Sequence, residues 1–191
     1  MKAVDIILAA GCAVTIAFLA NDFLTLPAYQ MALVWVVLPV IAVFFLWLSE
    51  YIGKKLFFVF QSAKHVLVGG AATVIDLKIF EFLLPIFFLA NPLILKSASF
   101  LFSTALKYAG NKYWAFEKNG GEDIHKEVGK FFFITIVGLL IDVCVFYYAT
   151  KVVGPQFGIL TAIWIKLSVI LAALAAAVWN FLGYKFLVFK K

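Results

Sequence analysis

The run Met31-Ala32-Leu33-Val34-Trp35-Val36-Val37-Leu38-Pro39-Val40-Ile41-Ala42-Val43-Phe44-Phe45-Leu46-Trp47-Leu48 carries no charge across eighteen positions. An α-helix rises about 1.5 Å per residue, so about 20 apolar residues cross the ~30 Å hydrocarbon core of a bilayer. With its neighbours the run reads as a membrane span over 31–50. The whole chain agrees: 65% of its 191 residues are hydrophobic and 14% are charged, and the mean hydropathy is +1.07. A soluble domain is about half apolar and a quarter charged. One core cannot hide such an excess, which excludes a water-soluble enzyme. The expected fold class is an all-α polytopic membrane protein.

Working outward, five further stretches are apolar enough to span, at 4–20, 66–89, 92–111, 130–151 and 158–184. The first is short and carries Asp5. Lys2 before it suggests a signal peptide, but Phe18 and Ala20 do not make the small-x-small cleavage pattern, so retention is expected. Segment 54–64 alternates poorly for a strand and reads as an interfacial helix. Asn91-Pro92 and Gly154-Pro155 mark tight turns, and the loop 112–130, with Asn119-Gly120-Gly121, is too small for a catalytic domain.

All 16 basic residues are lysine, which removes bidentate guanidinium clamps. Eleven lie in segments on one side (Lys2, Lys54 to Lys64, Lys112 to Lys130, and Lys185 onward), whereas Lys151 alone marks the other. The positive-inside rule therefore places both ends of the chain in the cytoplasm, and the surplus charge points to anionic lipid rather than nucleic acid. Cys12 and Cys144 sit in apolar runs and read as buried, inert thiols. No His, Cys or carboxylate set has metal-ligand spacing, and no Gly-x4-Gly-Lys-Ser/Thr loop is present, so neither a metal, a cofactor nor bound ATP is expected.

The last four spans read as two copies of one unit. In the first, Val68-Gly69-Gly70 leads to Ile75-Asp76, and the unit closes with Asn111-Lys112-Tyr113-Trp114-Ala115-Phe116. In the second, Val137-Gly138 leads to Ile141-Asp142, and the close is Trp179-Asn180-Phe181 followed by Tyr184-Lys185-Phe186-Leu187-Val188-Phe189. Two helices per copy make these parallel repeats about an axis along the membrane normal.

In order and spacing these motifs resemble the GtrA-like family, over about residues 58–191. That family comprises small four-helix membrane proteins of cell-surface polysaccharide assembly, related to the membrane domain of some dolichol-phosphate-mannose synthases. The chain departs from it in carrying lysine where arginine is usual before the aromatic, and Tyr184 where the first copy has Asn111. Residues 1–55 add a pair of helices ahead of a GtrA-like domain at 56–191. The resemblance implies a bacterial or archaeal inner membrane.

Seven ionisable residues fall within the repeat spans: Asp76, Lys78, Glu81, Lys96, Lys107, Asp142 and Lys166. A charge at the bilayer centre costs roughly 2.5–3.5 kcal/mol on insertion scales, so such residues face partners or water and mark function. Counting from the cytoplasmic ends puts Asp76, Asp142 and Lys166 near the midplane, Lys96 near the outer surface and Lys107 near the inner one. Lys96, Ser99, Ser103, Lys107 and Gly110 share one helical face; so do Lys166, Ala173, Ala177, Asn180 and Tyr184; so do Thr135, Gly138, Asp142 and Ala149. Lys78 and Glu81, three apart, are expected to neutralise each other. Ala172 to Ala177 permit close helix packing or a homo-oligomer seam. His65, His125, Trp47, Tyr113 and Trp114 read as interface residues.

A column of lysines with interleaved acids suits an anionic headgroup moving through an apolar wall. The resemblance implies that the headgroup belongs to a polyprenyl-phosphate-linked sugar, such as an undecaprenyl phosphate, flipped across the membrane. A membrane-associated glycosyltransferase would then be the partner. The substrate-binding set is Lys96, Lys107, Asn111, Lys112, Lys166, Asn180 and Lys185, with Asp76 and Asp142 as buried acids and no catalytic residue. Two other readings remain. One is a non-transporting scaffold that anchors a glycosyltransferase through the 112–130 loop and the Lys185 to Lys191 tail. The other is a small cation or drug exporter, disfavoured because lysines outnumber acids in the spans.

Overall fold

The computed structural model describes residues 1–23, 26–87, 89, 92–118 and 123–190, without the side chains of 20–23, 57, 92, 93, 96, 162, 163, 166 and 169. The Asn91-Pro92 turn, Asn119-Gly120-Gly121, Lys191 and the side chains of Lys96 and Lys166 therefore lie outside the described residues. Among those described, regular structure is helical throughout. Six α-helices follow in order: α1 (Ala3–Phe23), α2 (Ala28–Gly53), α3 (Phe57–Ile86), α4 (Pro92–Ala109), α5 (Ile124–Tyr147) and α6 (Thr161–Gly183). The last three each pass into a π-helical segment, at Gly110–Ala115, Tyr148–Val153 and Tyr184–Val188.

Among the described residues three stretches are long and apolar enough to cross a bilayer by length and composition, Ala28–Gly53, Ile124–Val153 and Ile170–Val188; Ala3–Leu19 is a shorter apolar helix. At 30 residues α3 is about 45 Å long, but Lys64, Asp76, Lys78 and Glu81 interrupt its apolar character. Large side chains such as Val36, Val40 and Phe44 on α2, and Phe133, Leu140 and Val143 on α5, are exposed. An apolar surface that extensive needs a lipid solvent.

Two compact units form, Met1–Asn119 and Gly120–Lys191. In the first, Ala9, Ala13 and Ala17 make a stripe of small, fully buried residues along α1. They let α1 lie close to its neighbours, with Leu46 of α2 and Ala63, Leu67 and Val68 of α3 completing the core. Pro39 sits inside α2, a position membrane helices tolerate because neighbouring groups re-satisfy the freed carbonyl. In the second unit Asp123 caps α5, its carboxylate accepting from the His125 amide at 3.1 Å. That hydrogen bond satisfies one of the orphan donors of the first turn. At the far end Gly154 adopts φ +66° and ends the π segment, with its amide donating to Ala149 O at 3.1 Å. Only glycine takes that backbone without strain.

Four expectations are corrected. Residues 57–64 are not a separate interfacial helix but the first two turns of α3. Helix α5 starts at Ile124, so Lys126 and Lys130 belong to it rather than to a loop. Cys144 is exposed, not buried. His65 and Trp114 are buried, because both find polar partners inside the first unit.

Candidate functional site

The first unit gathers its polar groups where α3 meets the end of α4. Beyond Ala109 the backbone widens to π winding, and the Phe116 amide reaches back to Asn111 O at 2.9 Å. Such wide turns reset the helical phase and recur at functional sites. Here Asn111, Lys112, Trp114 and Ala115 are all buried.

Asn111 is fixed by two hydrogen bonds. Its Nδ2 donates to Lys107 O at 2.7 Å, so the amide oxygen must be the atom facing His65 Nδ1, also at 2.7 Å. An amide oxygen only accepts, and His65 therefore carries a proton on Nδ1. Lys112 Nζ donates to the Tyr108 hydroxyl at 3.1 Å and lies over the Tyr108 and Tyr113 rings. Lys107, Asn111 and Lys112 are thus brought together on one turn and a half of chain.

Further along the same face of α4, Ser103 is buried and Ser99 fully so. Ser99 Oγ donates to Asp76 Oδ1 on α3 at 2.7 Å. Asp76 thereby joins the face of Lys107. Lys78 and Glu81 pair at 3.0 Å, as their spacing predicted.

Beside this set lies a network the sequence reading missed. Lys64 on α3, 1% exposed, contacts Asp5 Oδ1 of α1 at 2.8 Å and Glu117 Oε1 at 3.0 Å. Asp5 also accepts from Trp114 Nε1 at 2.9 Å and from the Lys2 amide at 2.9 Å. Glu117 stands at φ +49°, turned back toward Lys64. Its burial alone would raise its pKa, but the hydrogen bond and charge of Lys64, with Lys2 beyond, hold the carboxyl below its ordinary value. The available signal was Asp5 itself, an acid in an apolar run that required a buried cation.

In the second unit Tyr184 is completely buried. It stacks on Phe131 at 4.5 Å, and its hydroxyl meets Thr135 Oγ1 at 2.6 Å. Asn180 lies against Gly138, where an added Cβ would collide with its carboxamide. The buried Asn180 Oδ1 has no hydrogen-bond partner among the described residues. Lys185 Nζ lies over the Phe181 and Phe186 rings at 5.6 and 5.7 Å, and Asp142 is half-buried on α5.

The family described as GtrA/DPMS, transmembrane domain, matches residues 64–189. No curated protein and no solved structure matches the chain. The matched stretch takes in the whole α3–α4 polar face and both π-helical closes, from Lys64 to Phe189. The chain therefore belongs to the GtrA/DPMS transmembrane-domain family, an integral membrane protein of glycan-precursor biosynthesis.

Proposed function

We propose that the protein moves a polyprenyl-phosphate-linked sugar across the membrane without itself catalysing a covalent step. The observation that carries this reading is the single face of α4 on which Lys107, Ser103 and Ser99 follow one another, with Asn111 held below and Asp76 alongside. Lysine offers a phosphate a compact positive charge, while hydroxyls and a carboxylate offer hydrogen bonds to a sugar. Lys107 and Lys112 receive the phosphate at the lysine-rich end, Asp76 keeps the empty path near neutral, and Lys96 serves its outer exit. Asn180, Lys185, Asp142 and Lys166 play the corresponding parts in the second unit.

On this reading α1, α3 and α4 also span, giving six crossings with both ends of the chain inside, and the last four form two copies of one unit. Matching contacts support the repeat. His65, Asn111 and Phe116 cluster in the first unit, with the His65 and Phe116 rings 6.3 Å apart. Phe131, Tyr184 and Phe189 cluster in the second, with Phe131 and Phe189 6.2 Å apart. A Cβ on Gly110 would meet Val68 at 2.9 Å, and one on Gly183 would meet Ile134 at 2.6 Å. The same spacing separates Val68 from Ile134, His65 from Phe131 and Asp76 from Asp142. In this register Lys107 corresponds to Asn180 and Gly138 to Ala72.

The test is leaflet exchange of a short-chain polyprenyl-phosphate sugar in liposomes holding the purified protein. Exchange that requires protein supports translocation. Binding without exchange above empty liposomes favours a scaffold for a membrane glycosyltransferase.

A further inference from the structure

Two cavities in the first unit adjoin between α1 and α3. One, of about 410 Å³, is lined by Leu8, Gly11 and Cys12 of α1, Ala71 and Ala72 of α3, and Lys107 of α4. The other, of about 420 Å³, is lined by Phe18 of α1 and by Lys78, Ile79 and Phe82 of α3. Both include Thr15 and Ile75 in their walls, so they form one furrow. From Val68 to Phe82 it follows α3 for about 21 Å, most of a ~30 Å hydrocarbon core. Its rims carry exposed apolar side chains, Ile7, Leu106 and Phe82 among them, so it opens sideways toward lipid.

We infer that this furrow seats the isoprenoid chain of a lipid phosphate whose headgroup is held at Lys107. The inference rests on the reading that the ligand is a polyprenyl phosphate, and adds where its tail lies. A soluble ligand gains nothing from a long, laterally open apolar trough, whereas a lipid chain enters it from the bilayer without leaving hydrocarbon. An isoprenoid brings methyl branches, which need small residues in the wall. Gly11, Ala71 and Ala72 keep the walls low enough for such branches to approach the backbone. Lys107 at one end supplies the charge that a phosphate matches.

This gives α1 a role. It lies outside the family match at 64–189, yet supplies one wall of the furrow, and the Asp5–Lys64 ion pair at 2.8 Å pins its foot beside the headgroup end.

The test is photolabelling of the full chain in lipid nanodiscs with a polyprenyl phosphate bearing a diazirine in its tail, mapped by mass spectrometry. A Cβ on Gly11 meets nothing within 4 Å, so Gly11→Leu starts its side chain in open space at the furrow wall. Gly69 is equally open but does not line it, which makes Gly69→Leu the control. The expected result is labelling of α1 and α3 around Gly11 and Ala72. It should fall about tenfold or more, the loss expected when several buried methylene contacts are displaced, in Gly11→Leu and in Thr15→Leu, and stay unchanged in Gly69→Leu. Undiminished labelling in both furrow variants overturns the inference, as does equal displacement by a phosphatidylglycerol. A wild-type protein that exchanges the lipid between leaflets but is not labelled at α1 overturns the furrow alone. One that neither exchanges nor is labelled overturns the translocation reading with it.

Discussion

Lys64 Nζ and Asp5 Oδ1 meet at 2.8 Å with side chains only 1% and 5% exposed, joining the first residue of the family match to a helix outside it. Both side chains are buried, so each is costly to leave without the other. Removing one member of a buried pair costs about 3–5 kcal/mol, while replacing both with apolar groups is often neutral. Asp5→Leu and Lys64→Met should each lower the unfolding midpoint strongly, with Glu117 softening the first. The double variant Asp5→Leu/Lys64→Met should recover much of the loss. A double-mutant cycle by thermal unfolding in detergent reads this coupling, and additive losses would contradict it.

Glu117 makes the network sensitive to acid. Its carboxyl is held below the ordinary value of 4.5 by Lys64 and Lys2 against the opposing effect of burial. A depressed folded-state pKa contributes stability that is complete above the unfolded value and lost as pH falls through the folded one. The unfolding midpoint should therefore drop as pH is lowered below about 4.5, modestly because Glu117 is 44% exposed. In Glu117→Gln the part of that slope due to this group should vanish while the midpoint at neutral pH falls.

Gly138 and Asn180 form a steric pair. A methyl group at 138 would strike the Asn180 carboxamide, and overpacking of this kind costs about 1–3 kcal/mol. Gly138→Ala should lower the unfolding midpoint, and Asn180→Ala on top of it should restore most of the difference. If the double variant is no better than the single one, the two residues do not share this space.

Asn111 satisfies both His65 Nδ1 and Lys107 O. Asn111→Leu keeps the volume but removes both buried hydrogen bonds, each loss costing about 1–3 kcal/mol. Its unfolding midpoint should fall well below that of Lys112→Met, which removes a side-chain bond to the Tyr108 hydroxyl. Parallel melts of the two variants check this ordering.

The helices were legible because their signal is local. The run from Met31 to Leu48 needs no knowledge of its neighbours, and the Lys78–Glu81 pair follows from a three-residue spacing. The network at Lys64 was not legible, since its partners stand 59 positions before it and 53 after it. Lys64 could only be counted as one more lysine at a membrane edge. Trp114 was misread for a related reason. It reads from local sequence as one more aromatic of the membrane interface, whereas it is buried and bonded to Asp5, 109 positions before it. The Lys107–Ser103–Ser99 face was legible because it lies wholly within regular α4.

The central claim is that the α4 face carries the headgroup, and leaflet exchange of Lys107→Gln beside Lys55→Gln tests it most directly. Lys55 is exposed outside α3 and controls for general loss of basic charge. The account predicts that Lys107→Gln slows protein-dependent exchange by about tenfold or more, as losing one charge-assisted hydrogen bond implies, while Lys55→Gln matches wild type. Equal exchange in all three proteins would contradict it.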